Sequence, residues 1–329
     1  MTLDRANRGF VLVGGLSFML GGIVLCGALG EVLIPLVVHG VEHGRSLHSG
    51  LTLLPFVLFT ALVIAGLVFA LRSLVSQLAA SSRLSRWLDA AAGPAPEGLR
   101  GTALEVNLAD RLVLIESEEP FSFVYGLLTP RVAVSTALCA TLSDDELRAV
   151  LVHEEYHVRN LDPLKATLSR VLTDGLFFLP VLGLLRSRYA ADRELAADRR
   201  AVAACGRGAL AGALLRVVRG PDGLDLDVAT GLVGDGLLDL RVRQLEEGRK
   251  THPEVSWSRA VLFSMLGAGA MMATFLVSVV AFGGAGTVDR LTGGSLLDAV
   301  LSGAICAIPV ALVASLGLGL AAFRARRPI

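Results

Sequence analysis

The chain has 329 residues, 53% of them hydrophobic, with Lys+Arg 30 balanced by Asp+Glu 30, and a mean hydropathy of +0.64. A soluble domain of this length fills its core at ordinary composition, so a surplus of apolar residues gathered in a few long stretches points to a membrane protein. The lack of a basic excess argues against a nucleic-acid binder. Four cysteines without a CxxC pair argue against a disulfide scaffold or a thiolate metal site.

In chain order, four stretches are long enough to cross a bilayer, which takes roughly 20 apolar residues. They run from about Gly9 to Gly30, Leu51 to Leu71, Ala260 to Gly283 and Ala299 to Phe323, and none carries a charged side chain. Arg5 and Arg8 precede the first as in a signal peptide, but its apolar run is longer than a signal sequence needs and resumes after Glu31, so it reads as a retained span. Arginines beside the spans set the orientation. Arg5 and Arg8 lie before the first span, Arg72, Arg83 and Arg86 after the second, and Arg324, Arg326 and Arg327 after the last, whereas the two other loops carry Arg45 and Arg290 alone. The pattern puts both termini and the middle segment, 72–258, on the cytoplasmic side. A further apolar stretch, Val171 to Leu185, is short and interrupted by Asp174 and Pro180. It is expected to be a buried helix or a segment dipping into the membrane.

In the middle segment, residues 92–98 with their Gly-Pro-Ala-Pro run read as a linker. ALEVNL (103–108), RLVLIES (111–117) and VAVSTAL (132–138) suggest strands of a small sheet. Ser143 followed by Glu146 makes a capping box, and Asp144 and Asp145 suit the positive end of a helix. Leu147, Val150 and Leu151 give that helix an apolar face, and it should end near Asn160, before Asp162-Pro163 open the next one. Ser187 to Cys205 reads as a helix closed by Gly206.

His153-Glu154-Glu155-Tyr156-His157 forms an HExxH motif on the capped helix. Residues four apart share a helix face, so both imidazoles can converge on one metal, and Glu154, beside the first ligand, is left to act as a base. Zinc lowers the pKa of water toward ~7, and a carboxylate can then take its proton as it attacks a peptide carbonyl. The plain alternative, two chance histidines on a surface helix, fits poorly with an apolar, well-capped helix outside the spans. A catalytic zinc takes three protein ligands. His252 is the only histidine downstream, so the third must be a carboxylate, and Glu194 is assigned to it. Asp198, four residues on, would accept a hydrogen bond from a ligand histidine. Spacing alone leaves Asp192 and Asp198 open as the ligand, and the neighbours Arg193, Arg199 and Arg200 would equally suit a solvated charged face. His39-Gly-Val-Glu42-His43 matches an inverted HxxEH pattern. It sits in a short outer loop with His48 and no later carboxylate completes it, so it reads as loop histidines, the alternative being a weak metal or pH-sensing site.

The run SFVYGLLTPRVAVSTALCATLSDDELRAVLVHEEYHVRNLDPLK (122–165), with ELAADRRA (194–201) following, resembles the BlaR/MecR-type membrane metallopeptidases and, more distantly, the HtpX and CAAX-processing zinc peptidases. Phe121-Ser122-Phe123 with Gly126, Pro130-Arg131, the Leu-Ser-x-x-Glu-Leu entry to the helix, HExxH, Asp162-Pro163, Glu194-x-x-Ala-Asp198 and the basic helix LLDLRVRQLEEG (237–248) carry the likeness. It implies zinc held by His153, His157 and Glu194, with Glu154 as base. It also implies that VAVST, with Val132, Ala133, Val134 and Ser135, is an edge strand that pairs with an extended peptide. The expected architecture is a mainly α membrane protein of four transmembrane helices carrying a cytoplasmic α+β, zincin-like peptidase domain. The expected partners are a protein or peptide substrate, such as a cytoplasmic transcriptional repressor, and the lipid bilayer, with no direct nucleic-acid binding. Receptor members add an extracellular penicillin-binding domain after the last span; with the sequence ending at Ile329, β-lactam sensing is not expected. Tyr189 and Arg193 are candidates for stabilising an oxyanion. Membrane-protein quality control and a non-enzymatic metal-binding sensor are the competing functions, although a structural metal would take a fourth protein ligand and leave Glu154 without a task.

Overall fold

The computed structural model describes residues 9–11, 13–15, 17, 21–22, 50–216, 235–247 and 260–269. The first long helix, α1, runs Gly50–Ala90. Its Thr60–Ala90 portion is, among the described residues, the one helix long and apolar enough to cross a membrane. The expected span ended at Leu71; the helix continues because no Gly or Pro interrupts 72–90. Ile64, Leu67, Val68, Leu71, Val75 and Leu78 form an exposed apolar stripe at helical spacing, a surface suited to lipid rather than water. Of the other expected spans, the described parts of 9–30 and 260–283 are helical. The span 299–323 and the histidines of 39–48 lie outside the described residues.

The chain divides into two compact units. One is built from Arg72–Val171 and the described parts of Arg186–Glu254, with 9–11. After α1 come β1 (Ala92–Gly93), α2 (Glu97–Glu105), β2 (Leu112–Ile115), β3 (Ser122–Tyr125), β4 (Arg131–Ser135) and α3 (Thr136–Thr141). There follow α4 (Asp144–Arg159), α5 (Asp162–Gly175), α6 (Pro180–Cys205), α7 (Arg207–Arg216) and α8 (Asp235–Glu247). The expected linker is thus partly structured, since Ala92 and Gly93 pair with Ile115 and Leu114. The expected strand ALEVNL is instead the end of α2 and the turn after it. Pro96 precedes the helix, and Leu99 and Ala103, four apart, are both buried; that period outweighs the β-like alternation.

The sheet order is β1-β2-β4-β3, with β2 and β4 parallel and the other pairs antiparallel. Val132, Ala133, Val134 and Ser135 therefore do not form an edge strand. They pair with Leu112–Ile115 on one side and, through Val132–Val134, with Ser122–Val124 on the other. The end position belongs to β3. Alternation sorts the side chains of the sheet. Val113, Ile115, Phe123, Tyr125 and Ala133 join Leu88 at the end of α1. Leu114, Val124, Val132 and Val134 join Leu147, Val150 and Leu151 of α4. The sheet lies between the end of the long helix and the motif-bearing helix, with almost all of α4 buried.

Glu146 closes the capping box of α4 and also accepts from Arg216 at the end of α7. A Cβ on Gly212 would meet its Oε1, so α7 can approach only because that residue is glycine. Glu155 accepts from Arg200 Nε at 2.8 Å, stitching α4 to α6.

The second unit draws on the described parts of Leu12–Leu71, Leu172–Leu185 and Val255–Ile329. Residues 171–185 are not one helix: α5 stops at Gly175 and α6 starts at Pro180. A Cβ on Gly66 would lie 2.6 Å from Gly175 O, so the two backbones meet closely there. Phe69 meets Phe177 edge-on at 5.2 Å, Leu176, Leu179 and Leu182 cluster, and Val181 N donates to Ser264 Oγ at 2.9 Å.

Gly126 links β3 to β4 at φ +85, and a Cβ there would fall 2.8 Å from Thr129 O. Gly126→Ala should destabilise the protein by about 2 kcal/mol, seen as a fall of roughly 4–8 °C in the midpoint of thermal unfolding.

Candidate metal centre

The helix α4 carries His153 and His157 one turn apart on the face that meets α6, which brings Glu194. His153 Nε2 lies 3.2 Å from His157 Nε2, and Glu194 Oε2 lies 3.4 Å from the first and 3.6 Å from the second. These three atoms form a small, nearly regular triangle. Zinc bonds of about 2.0–2.1 Å at tetrahedral angles separate ligand atoms by about 3.4 Å, so the donor set fits a zinc-sized cation in both chemistry and spacing. His153, His157 and Glu194 are the one such cluster found among the described residues.

Each member of the triangle is held from behind. His157 Nδ1 lies 2.7 Å from Asp162 Oδ2, and His153 Nδ1 lies 2.9 Å from Asp198 Oδ1. An ionised carboxylate only accepts hydrogen bonds, so the bond to Asp162 puts the proton of a neutral His157 on Nδ1; His153 Nδ1 is close to Asp198 but not aligned for a hydrogen bond, and the nearby negative charge favours the same tautomer. Arg193 donates to Glu194 Oε1 from Nη2 at 3.1 Å and from Nε at 3.3 Å, leaving Oε2 toward the histidines. Arg241 of α8 grips Asp198 with two bonds of 2.7 Å, and Gln244 donates to Leu195 O at 3.0 Å. Asp198 is fully buried and Glu194 is 8% exposed, so this face of α6 is not a solvated charged surface.

The field of the site favours positive charge at its centre. Burial opposes a charged imidazole, yet Glu194 and Asp162 push His157 up to about 10; His153 is also raised, through Asp198 and Glu194, against the same penalty. Burial would raise Glu194, but His157, His153 and Arg193 hold it well below the usual carboxylate range. Asp198 is likewise brought to about 2 against burial, chiefly by Arg241. Four carboxylates converge here (Glu154, Asp162, Glu194, Asp198), and the two guanidinium groups that bond to them are Arg193 and Arg241. Lys165 also interacts with Asp162; with neutral imidazoles the carboxylates still outnumber the cations, which favours a bound cation.

Glu154 is buried beside this triangle. Ser122 Oγ donates to its Oε1 at 2.8 Å, while Oε2 is buried without a hydrogen-bond partner. A buried carboxylate oxygen left unbonded is costly, and here it has the freedom a base needs. The oxyanion candidates are placed differently from one another. Arg193 is buried and engaged with Glu194 and, at 3.8 Å, with Asp162; Tyr189 is buried nearby, its hydroxyl pKa raised mainly by that burial.

The sequence reading missed three groups at this site. Asp162 reads in the sequence as a helix cap and as part of the likeness, with no tie to a histidine; it reaches His157 because Leu161 turns the chain with φ 53. Ser122 enters the sequence reading only through the likeness, since in its short strand the three residues after it are all buried and no alternation marks it. Arg241 lies 43 residues from Asp198, too far for any spacing rule to pair them.

The fold and site define a class: a membrane-associated metallopeptidase. The profile of the family described as BlaR1 peptidase M56 matches residues 51–231, more than half of the chain, and the chain belongs to that family. It is also similar to the Protease HtpX homolog of Leuconostoc citreum (strain KM20), with 40% identity over 76 residues, 22% of this chain and 25% of that protein. The chain thus matches about a quarter of the length of this curated relative.

Asp162→Ala and Asp198→Ala should each weaken metal affinity by roughly 10–100-fold. Competition with a chromophoric chelator on the purified protein measures this directly.

Proposed function

We propose that the protein is a zinc endopeptidase of the membrane that cleaves a cytoplasmic protein, such as a transcriptional repressor, in regulatory proteolysis. The observation that carries the proposal is the triangle of His153, His157 and Glu194 beside the unbonded Oε2 of Glu154. Zinc bound there would supply Lewis acidity and lower the pKa of water toward ~7. The chain's own residues would do the rest. Asp162 and Asp198 orient the imidazoles, Arg193 aims Glu194, and Glu154 takes the proton of the attacking water at Oε2 and returns it to the leaving amine. An extended peptide would add alongside β3, the terminal strand of the sheet, in one register. A zincin-like arrangement around the HExxH helix follows from this reading.

In the proposed topology four helices cross the membrane, with both termini and the peptidase domain on the cytoplasmic side. The arginine distribution supports it. The partners are the bilayer and a protein substrate, without direct nucleic-acid binding.

The likeness to a Protease HtpX homolog supports a second reading, general membrane-protein quality control. Substrate profiling by mass spectrometry separates the two: one cleaved partner fits regulation, many fit quality control.

The first test compares detergent-purified wild type with Glu154→Gln and Glu194→Ala. Glu154→Gln should keep one zinc per chain and lose at least ~100-fold in kcat; retained cleavage would overturn the mechanism. Glu194→Ala should lose zinc affinity by more than the roughly 10–100-fold expected when an outer support is removed.

A further inference from the structure

Ser122 is placed where the substrate edge and the base meet. Phe121 N donates to Ser135 Oγ at 2.9 Å, and Phe121 O accepts from Ser135 N at 3.0 Å. Phe121 therefore turns its backbone toward β4. In an antiparallel pair the next residue turns its N–H and C=O away, so the backbone of Ser122 faces the outer edge of the sheet.

The side chain of Ser122 follows the other alternation. Phe121, Phe123 and Tyr125 cluster with Leu88 on one face of the sheet. Val124 lies on the opposite face with Leu147 and Leu151 of α4, and Ser122 shares that face. An apolar side chain would suit the packing there, yet the position carries a hydroxyl, and that hydroxyl donates to Glu154 Oε1 at 2.8 Å.

Glu154 has two oxygens and one task. If both were free, the carboxylate could rotate about its terminal torsion, which is broad and soft. One fixed oxygen removes that freedom and leaves Oε2 alone, buried and unbonded. We propose that Ser122 is the positioning residue of the base: its hydroxyl clamps Oε1 so that Oε2 receives the proton, and its backbone ties that clamp to the strand on which the peptide docks. The proposal rests on the reading of Glu154 as base.

The test uses full-length, zinc-loaded protein in detergent, as wild type, Ser122→Thr, Ser122→Val and Glu154→Gln. Threonine and valine share a shape and differ by the hydroxyl, so packing is held constant between them. Two readouts are taken: the infrared carboxylate band of Glu154, identified as the band lost in Glu154→Gln, and kcat and KM on a quenched-fluorescence peptide selected on wild type. Ser122→Val should shift the band and lower kcat by roughly 10–100-fold, with KM within about twofold. Ser122→Thr should keep the band and remain within about threefold of wild type in kcat. An unshifted band or unchanged kcat in Ser122→Val overturns the proposal, as does equal loss in both variants. Should valine fail to retain zinc, Ser122→Ala takes its place in the same comparison. Cleavage by Glu154→Gln at the wild-type rate would sink the reading of the base itself, whatever Ser122 does.

Discussion

Two ring nitrogens 3.2 Å apart, each with a carboxylate behind it, form the constraint on which the rest of the site depends. Two lone pairs directed at one point repel, so the surrounding structure has to hold the rings in place. They stay together because four helices contribute to the arrangement. The histidines come from α4, Asp162 from the start of α5, Glu194, Asp198 and Arg193 from α6, and Arg241 from α8. A supporting carboxylate such as Asp198 would itself be expensive to bury; its two bonds to Arg241 offset that cost.

The sheet sets the other half of the geometry. Its period of two directs Val124 and Ser122 to α4 and the aromatic residues to the end of α1. A slip of one residue would present Phe123 to Glu154 in place of Ser122. The long helix also reaches the sheet by polar contacts, since Asp89 accepts from Arg131 and, at 3.2 Å, from Tyr125. The motif-bearing helix and the end of the long helix thus lie against opposite faces of one sheet.

Local signals were legible in the sequence. The capping box at Ser143 and Glu146, the end of the helix at Asn160 and the closure of α6 by Gly206 stand where their chemistry put them. So does the shared face of the two motif histidines, which depends only on helical spacing. Long-range arrangement was not legible. That Val132–Ser135 lies inside the sheet depends on β3 returning antiparallel beside it, which no property of β4 itself records. The burial of Asp198 depends on a guanidinium 43 residues away. Asp162 was hidden for another reason: a good helix cap and a support for histidine look alike until the left-handed turn at Leu161 is known.

Arg193 holds one oxygen of Glu194 and leaves the other facing the histidines. A carboxylate so divided would offer a cation one oxygen more readily than two. The number of protein atoms around an ion held here would thus be set in part by a guanidinium that lies behind the carboxylate, and replacing Arg193 would release the second oxygen to compete for the same place.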